Sequence, residues 1–262
     1  MKKYFIVSDT HSYCTVLKNE LNKKGFDINN KEHIFVLCGD LFDRGSESIE
    51  LYNFIKSIPK ERRILIRGNH EYLFLDLLYK DFPDYYDHTN GTVKTFNDLT
   101  NNEYYDWLDL ISDERLNRIK RWFLSDEWID YYETDKYIFT HAFIPLKIND
   151  SCCSQSMYSV DENFLSYSDN WRTSRPKEFE NATWGCPWKL AKRGLNKTGK
   201  TIVCGHWHTA DFFNNLKNLK EKYNVHENNP IFISKRYKII GLDSCTAATN
   251  KVNVLVLNED EL

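Results

Sequence analysis

The first eighty residues alternate between short apolar runs and segments with helical spacing, and this alternation constrains the fold more than any other feature of the sequence. The apolar runs predict β-strands at residues 3–8, 33–37 and 63–66. Apolar side chains at helical spacing predict helices at residues 13–24, 46–57 and 69–79. Ser46 is the expected N-cap of the second helix. Strands that alternate with helices favour a parallel sheet with crossover helices, and therefore an α/β fold.

The rest of the chain predicts further strands, interrupted by two segments of different character. Residues 81–130 are rich in Asp, Asn, Tyr and Trp and predict a helical insertion, with helices at residues 92–99, 104–111 and 113–123. Strands are expected at residues 128–133, 137–140, 201–204, 237–242 and 252–257, with a hairpin turn at residues 134–136. Residues 145–199 are polar and irregular, with one helix expected near residues 188–193. The sequence has no internal repeat and no linker, so we predict a single domain over residues 1–262 with insertions at about 81–130 and 145–199.

Composition and charge restrict the classes of partner. The chain has 35 Lys and Arg residues against 38 Asp and Glu residues, a formal net charge of −3, so no broad nucleic-acid-binding surface is expected. No segment approaches the roughly 20 apolar residues of a membrane span, and the apolar run after Lys3 is too short for a secretory signal. The seven cysteines form no Cys-x-x-Cys pair, which favours reduced thiols in the cytoplasm over a disulfide framework. The sequence makes no prediction about oligomeric state.

Polar segments follow the predicted strands at the points where the strands end. They are Asp9-Thr10-His11, the loop from Gly39 to Gly45, the segment from Gly68 to Glu71, His141, and the segment from Gly205 to His208. The carboxyl ends of parallel strands line the ligand crevice of α/β sheets. We therefore expect these segments to deliver their side chains to one edge of the fold.

The side chains at these strand ends are those of a metal site. Seven of them are candidate ligands: Asp9, His11, Asp40, Asn69, His141, His206 and His208. Carboxylate, amide and imidazole ligands suit divalent first-row metals such as manganese, iron or zinc. One cation has too few coordination positions for seven ligands, whereas two cations that share a carboxylate have enough. Asp40 follows the second of three successive predicted strands and is our candidate for the shared ligand. Two metals roughly 3.5–4 Å apart suit phosphoryl displacement.

Each of these segments has a simpler structural explanation when it is taken alone. An Asp-x-His triplet is common by chance, and an isolated histidine after a strand is more often a packing residue. However, five of the eight histidines lie within the strand-end segments: His11, His70, His141, His206 and His208. That concentration favours a metal site over packing.

The order of these motifs resembles the calcineurin-like metallophosphoesterase superfamily. The sequence Gly-Asp-x-x-Asp-Arg-Gly at residues 39–45, followed by Gly-Asn-His-Glu at residues 68–71, is most similar to the phosphoprotein phosphatase branch. That branch includes small bacterial and phage serine/threonine phosphatases and the symmetric diadenosine-tetraphosphate hydrolases. The chain departs from the branch pattern at Ser12, at Ala142 and at Trp207, but these changes leave the candidate ligands in place.

The resemblance implies a fold and a ligand set. The fold is a four-layer α/β/β/α sandwich with a helical insertion. The first metal would be held by Asp9, His11, Asp40 and His208, and the second by Asp40, Asn69, His141 and His206. Two divalent cations are implied, with manganese preferred and iron or zinc as alternatives. A hydroxide that bridges the metals would attack phosphorus in line, because coordination lowers the pKa of water from 15.7 towards about 7.

The resemblance also implies roles for residues beside the ligands. His70 would be the general acid that protonates the leaving oxygen, with Asp43 as the carboxylate that orients it. Arg44 would bind phosphate oxygens, although a structural salt bridge is an alternative role for it. Asn69 would contact substrate as well as metal. A second phosphate-binding arginine is expected within residues 145–199, where Arg172 and Arg175 are candidates, and Asp243 is expected to support the site.

These inferences predict an enzyme. We expect a dimetal-dependent phosphoesterase that hydrolyses phosphomonoesters in the manner of a serine/threonine phosphatase, so that its partner is a phosphoprotein or a small phosphoester. One alternative is a nucleotide or dinucleoside-polyphosphate hydrolase with the same chemistry. A non-catalytic scaffold with this fold is a third possibility, which the complete set of seven ligands together with His70 disfavours.

Overall fold

The strands form two five-stranded sheets and one small hairpin. The structure is a computed structural model that describes residues 1–104, 106–149 and 162–262. The strands are β1 Lys3–Val7, β2 His33–Cys38, β3 Arg63–Ile66, β4 Trp128–Ile129, β5 Tyr132–Glu133, β6 Tyr137–Phe139, β7 Lys147–Ile148, β8 Leu165–Ser166, β9 Thr201–Cys204, β10 Phe232–Ser234, β11 Ile239–Gly241 and β12 Leu255–Asn258.

The helices lie between these strands and in the two predicted insertions. The α-helices are α1 Cys14–Lys23, α2 Ser48–Ser57, α3 Asn69–Leu77, α4 Tyr85–Asn90, α5 Thr92–Leu99, α6 Trp107–Ile111, α7 Glu114–Phe123, α8 Pro176–Ala182, α9 Pro187–Lys192, α10 Thr209–Leu216 and α11 Thr246–Thr249. Short 3₁₀ turns span Lys60–Arg62, Glu162–Phe164, Trp171–Thr173 and Glu259–Glu261. Among the described helices, none combines the length and the apolarity that crossing a membrane requires.

The two large sheets have similar topologies. The first has the order β12-β1-β2-β3-β4, with β1 to β4 parallel and β12 antiparallel at the edge. The second has the order β10-β11-β9-β6-β5, with its three central strands parallel and both edges antiparallel. The predicted parallel sheet with crossover helices is therefore confirmed.

Alternating side chains of the central strands build a four-layer sandwich. In β1, Ile6 faces the second sheet, where it shares a buried cluster with Val203, whereas Phe5 and Val7 face the helices on the other side. The first helical layer includes α1, α2, α3, α5 and α7, and the second includes α8, α9 and α10. This period of two is the expected side-chain pattern of a strand buried on both faces. The predicted α/β/β/α architecture is confirmed.

Several predicted elements need correction. The predicted strand 128–133 is two strands, because the chain passes from the first sheet at β4 to the second at β5. Ser46 is not the N-cap of α2: the helix begins at Ser48, and its first N–H donates to the carboxylate of Asp98 at 2.7 Å. No individual helix was predicted at the positions of α4, α8, α10 and α11, although α4 lies within the predicted helical insertion. The adjacent pair Cys152-Cys153 and Tyr105 lie outside the described residues.

Candidate metal centre

The candidate ligands follow the carboxyl ends of parallel strands from both sheets. Asp9 follows β1, Asp40 follows β2 and Asn69 begins the helix after β3. From the second sheet, His141 follows β6 and His206 follows β9. The sandwich therefore brings segments that are far apart in sequence to one edge, where ligand sites of parallel sheets lie.

The backbone at these strand ends is strained. Left-handed φ values between 47° and 79° occur at Asp9, His11, Asp40, Asp43, Arg44 and His206. Such a conformation costs a non-glycine residue about 1–3 kcal/mol and persists only where the surroundings enforce it. Non-glycine residues in this conformation concentrate at functional sites. Here, six of the twelve such residues with positive φ in the described part of the chain are candidate ligands or belong to the Asp43-Arg44 pair.

Two glycines allow the strand ends to approach one another. A side chain at Gly205 would overlap the Ser8 hydroxyl and the Asp9 carboxylate. A side chain at Gly68 would overlap Oδ1 of Asp40. Glycine is required at both positions because these carboxylates lie directly against the neighbouring backbone.

His141 and His206 form one ligand group with Asp40 and Asn69. Nδ1 of His141 donates to the carbonyl of Cys38 at 2.9 Å, so the lone pair of the neutral ring is on Nε2. That Nε2 lies 2.8 Å from Oδ1 of Asn69, 3.2 Å from Nδ1 of His206 and 3.4 Å from Oδ1 of Asp40. Lone pairs and a carboxylate that converge in this way are suited to a cation.

His11 forms a second group on the other side of Asp40. Its Nδ1 donates to the carbonyl of Phe42 at 2.9 Å, which again leaves the Nε2 lone pair facing the site. Nε2 lies 3.8 Å from Oδ2 of Asp40 and 4.0 Å from Oδ1 of Asp9. Asp40 thus presents one oxygen to each group, as expected of a shared ligand.

The electrostatics of the buried cluster also fit a cation. Burial, together with the carboxylates of Asp243 and Asp40, raises the pKa of Asp9 well above its usual range. Burial lowers the pKa of His11 and of His141, so both rings are neutral near pH 7. Burial also acts to raise the pKa of Asp40, but His141 and the other nearby imidazoles outweigh it and hold the pKa below its usual value. The neutral imidazoles are in the form that binds metals, and a bound cation would offset the repulsion that raises the pKa of Asp9.

His70 and Asp43 form a close pair beside the cluster. Nδ1 of His70 lies 2.6 Å from Oδ2 of Asp43, and its Nε2 lies 3.8 Å from Oδ2 of Asp40. Burial alone would lower the pKa of His70, but Asp40 and Asp43 outweigh burial and raise it. The raised pKa favours the protonated ring, in which the proton that is not shared with Asp43 lies on Nε2.

Arg44 lies at the mouth of the cluster. Its Nη1 is 2.8 Å from Nε2 of His11, and its Nη2 is 3.3 Å from Nε2 of His70. The mouth is a cleft of about 330 Å³, lined by Arg44, Trp184, His206, Trp207, His208 and Asp211. A guanidinium at the mouth of a carboxylate and imidazole cluster is suited to a phosphate oxyanion.

The sequence of this chain matches a known protein family over most of its length. Residues 2–226 match the family model of the calcineurin-like phosphoesterases. The chain belongs to the calcineurin-like phosphoesterase family. It is therefore a metallophosphoesterase by family, and the expectation drawn from the strand-end motifs is confirmed.

Individual relatives of this calcineurin-like phosphoesterase differ in their substrates. The symmetrical bis(5'-nucleosyl)-tetraphosphatase of Proteus mirabilis (strain HI4320) is 32% identical over 76 residues, which are 29% of this chain and 27% of that protein. The chain thus matches about a quarter of that relative's length.

Two solved structures have a similar fold. One, a crystal structure provisionally assigned to a diadenosine tetraphosphatase, has a TM-score of 0.53 at 16% identity and covers 100% of this chain and 91% of the other. The other is a Saccharomyces cerevisiae protein serine/threonine phosphatase with similarity to human PP5. It has a TM-score of 0.52 at 16% identity and covers 92% of this chain and 66% of the other. At this identity the likeness concerns the fold alone.

The structure of this phosphoesterase does not bring every predicted site residue into the cluster. The ion pair recorded for the imidazole of His208 is with Asp243, at 3.8 Å, and the side chain is 32% exposed at the wall of the cleft. Within the described residues, the two groups with metal-ligand spacing are His11, Asp40 and His70, and Asp40, His141 and His206. His208 and Asp9 belong to neither group, but Asp9 lies 4.0 Å from Nε2 of His11, whereas the ion pair of His208 is with Asp243. His70, predicted as a proton donor, lies within ligand distance of the first group.

The two candidates for a second phosphate-binding arginine are engaged elsewhere. Arg172 pairs with Glu133 through two bonds of 2.7 and 2.5 Å. Arg175 is 81% exposed and pairs with Glu178 at 3.0 Å. Both arginines form local ion pairs, which explains why residue type alone is a poor guide to phosphate binding.

Sequence reasoning missed Glu71 as a residue that shapes the site. Its buried carboxylate accepts from the backbone N–H groups of Gly68, Asp40 and Leu41, at 2.6, 3.1 and 2.8 Å. It therefore ties the start of α3 to the loop after β2. Burial and the nearby Asp40 raise the pKa of Glu71 to about 7. Glu71 stands three residues after Gly68, which is the spacing of a capping box, and this spacing was the signal in the sequence for its structural role.

Thr92 and Thr95 of α5 were missed as well. Their hydroxyls contact the carboxylate of Asp43, at 2.8 and 2.7 Å. Both threonines are fully buried. The i, i+3 spacing of two hydroxyls on the buried face of a predicted helix was the only indication in the sequence.

Proposed function

We propose that this protein is a dimetal-dependent phosphoesterase that hydrolyses phosphomonoesters, with serine/threonine-phosphatase-like chemistry. The observation that best supports this function is that Asp40 belongs to two ligand groups, and that the His70–Asp43 pair and Arg44 lie beside them. The arrangement combines cation ligands, a proton donor and an anion-binding group within one cleft.

The chain's own residues divide into two ligand sets. Asp9, His11 and Asp40 would hold one cation, and Asp40, Asn69, His141 and His206 would hold the other. When bound, a pair of divalent cations would polarise the phosphoryl oxygens and make a water nucleophilic near neutral pH. Manganese, iron and zinc all accept this mixture of oxygen and nitrogen ligands, and we propose manganese.

Arg44 would bind and orient the phosphoryl group. Its guanidinium lies at the cleft mouth, within reach of His11 and His70. A planar guanidinium offers two parallel donors to phosphate oxygens, which fixes the direction of the scissile bond. The buried amide of Asn69, at the edge of the ligand set, would contact the same oxygens.

His70 would supply the proton that the leaving oxygen needs. Asp43 accepts from Nδ1, so the transferable proton is on Nε2, the nitrogen that faces Arg44 and Asp40. On transfer, the ring becomes neutral and the leaving oxygen becomes an alcohol. Protonation of this kind matters most for an alkoxide, which leaves poorly without it.

A dinucleoside-polyphosphate hydrolase is the second candidate. The similarity to the Proteus mirabilis tetraphosphatase favours it. Trp184 and Trp207 beside the cleft add a surface on which a nucleobase could stack. The ligands and the proton donor would serve either substrate, so the two functions differ only in what the cleft accepts. For either function, the five cysteines among the described residues are unpaired, which supports a cytoplasmic location.

A substrate panel tests the proposal. Chelator-treated protein reloaded with Mn²⁺ is assayed against phosphoserine and phosphothreonine peptides, 4-nitrophenyl phosphate and diadenosine tetraphosphate, with Asp40→Asn as the control. We expect metal-dependent release of phosphate from the monoesters. Cleavage of diadenosine tetraphosphate with inert phosphopeptides would replace the first function with the second. No hydrolysis of any substrate would favour a binding scaffold.

A further inference from the structure

The carboxylate of Asp43 receives hydroxyl contacts on both of its oxygens from one helix. Thr92 Oγ1 donates to Oδ2 at 2.8 Å, and Thr95 Oγ1 donates to Oδ1 at 2.7 Å. Oδ2 also accepts from Nδ1 of His70 at 2.6 Å. Thr95 Oγ1 in addition accepts from the backbone N–H of Asp43 at 3.0 Å. The hydroxyl of Thr95 therefore fixes both the backbone and the side chain of the residue that orients His70.

The same turn of α5 holds the residues that follow Asp43. The ammonium of Lys94 contacts the carbonyls of Arg44 and Gly45. Gly91, which precedes the helix with a φ of 94°, lies so close to the backbone of Arg44 that a side chain there would overlap it. The start of α5 thus encloses the loop that contains both the proton-donor partner and the phosphate-binding arginine.

This enclosure accounts for the strained loop. Asp43 and Arg44 have φ values of 79° and 62°, a conformation that a free loop would abandon. The groups that hold Asp43 include the Thr95 hydroxyl on its N–H and the two hydroxyls on its carboxylate, together with Nδ1 of His70 on the carboxylate and the N–H of Gly45 on its carbonyl. The insertion therefore has a structural role at the site itself.

We propose that Thr92 and Thr95 are positioning residues for proton transfer, acting through Asp43 on His70. The proposal rests on the proposed function, in which His70 protonates the leaving oxygen. With both carboxylate oxygens fixed by hydroxyls, Asp43 holds the imidazole with Nε2 towards the cleft. Without them, the carboxylate rotates about its side-chain bonds and the ring loses its fixed direction. General-acid catalysis depends on that direction.

Isosteric variants separate this role from packing. Thr95→Val and Thr92→Val remove one hydroxyl each, and Thr95→Ser retains it. Thr100→Val is the matched control, because Thr100 is also fully buried, at the end of the same helix, and its hydroxyl donates to the carbonyl of Phe96 at 2.8 Å. Loss of the Thr100 hydroxyl should lower the free energy of unfolding by a similar amount without removing a contact to Asp43.

The kinetic readout is the dependence of kcat on the leaving group in Mn²⁺-loaded protein. For phenyl phosphate, whose leaving group needs a proton, we expect Thr95→Val to lower kcat by about tenfold or more. For 2,4-dinitrophenyl phosphate, we expect a change of less than about twofold. Thr95→Ser should restore the wild-type ratio, and Thr100→Val should leave it unchanged. An equal loss for both substrates, or none, would overturn the proposal.

A second readout does not depend on activity. The proton between His70 and Asp43 should give a downfield ¹H NMR resonance in the metal-free protein, assigned by its absence in His70→Asn. Thr95→Val should shift or broaden this resonance, whereas Thr100→Val should not. An unchanged resonance in Thr95→Val would contradict the positioning role, whatever the activity of the protein. If the wild-type protein hydrolysed none of the substrates, that result would count against the proposed function alone.

Discussion

Oδ1 of Asp40 lies 3.4 Å from Nε2 of His141, while the opposite oxygen of the same carboxylate lies 3.8 Å from Nε2 of His11. Asp40 also accepts at 3.1 Å from the backbone N–H of His70, which fixes the carboxylate at the start of α3. One buried side chain therefore connects both ligand groups, and the loss of its charge should affect both.

Replacement of Asp40 by Asn tests this connection. An amide offers one neutral oxygen, so it cannot supply an anionic ligand to two cations at once. We expect Asp40→Asn to lower the bound metal from about two ions per chain to fewer than one, with nearly complete loss of phosphatase activity. Elemental analysis after gel filtration gives the metal content. Asp126→Asn is the control, because Asp126 is exposed and pairs with Lys60. Retention of both metals by Asp40→Asn would remove the shared-ligand assignment.

Replacement of His70 by Asn tests the proton donor separately from the metals. His70 is assigned to proton transfer, so we expect His70→Asn to retain about two metals per chain. It should slow hydrolysis of phenyl phosphate by about 10²–10⁴-fold and that of 4-nitrophenyl phosphate much less. Because Nε2 of His70 also lies 3.8 Å from Asp40, metal content must be measured on the same sample. A loss of one metal would make His70 a ligand, and equal slowing of both substrates would exclude general-acid catalysis.

The pH profile should depend on Asp43. Asp40 and Asp43 together raise the pKa of His70 despite its burial, which keeps the ring protonated to higher pH. The acid is active while protonated, so kcat falls as pH rises through this pKa. Asp43→Asn removes one of the two charges that raise the pKa, and the alkaline limb of kcat should move to lower pH. A limb that stays in place, measured with phenyl phosphate, would assign it to another group.

The strand ends could be predicted from the sequence because the pattern that identifies each of them lies within a few consecutive residues. A short apolar run followed by Asp9 or by Gly39-Asp40 identifies both the strand and the side chain that emerges from it. The convergence of these ends follows from one general rule about parallel sheets. This is why the structure brings six of the seven predicted ligands, from Asp9 to His206, to one edge of the sandwich.

What could not be predicted depends on partners that are distant in sequence. Asp43 and Thr95 are 52 positions apart, and nothing near either residue indicates the contact. Ser46 has the residue type of an N-cap, but Asp98 supplies the acceptor to α2 from another helix. Arg172 has the residue type of a phosphate ligand, but its guanidinium forms an ion pair with Glu133. In each case a tertiary contact, absent from the local pattern, decides the outcome.

Arg44 and Arg172 form a matched pair for testing phosphate binding. Arg44 lies at the cleft mouth beside His11 and His70, whereas Arg172 forms an ion pair with Glu133. Lysine preserves the charge and loses the two-donor geometry. We therefore expect Arg44→Lys to lower kcat/KM for 4-nitrophenyl phosphate by about tenfold or more, a loss of about 1.4 kcal/mol. Arg172→Lys should leave kcat/KM within about twofold. Equal effects of the two substitutions would argue against a specific role of Arg44.

Glu71 should contribute more to stability than a capping residue at the surface. Its buried carboxylate is the acceptor for three backbone N–H groups, including that of Asp40, whereas Glu178 has the same capping-box position on α8 but is 40% exposed. In Glu71→Gln one oxygen becomes an NH₂ group that cannot accept, so at least one buried N–H loses its partner. We expect the free energy of unfolding of the metal-free protein to fall by about 1–3 kcal/mol, and by less than about 1 kcal/mol in Glu178→Gln. Urea unfolding followed by circular dichroism measures both.

Since Glu71 also holds the backbone of Asp40, the variant should bind Mn²⁺ more weakly than Glu178→Gln does. Equal stability of the two variants would show that water can accept hydrogen bonds from the backbone N–H groups that now donate to Glu71.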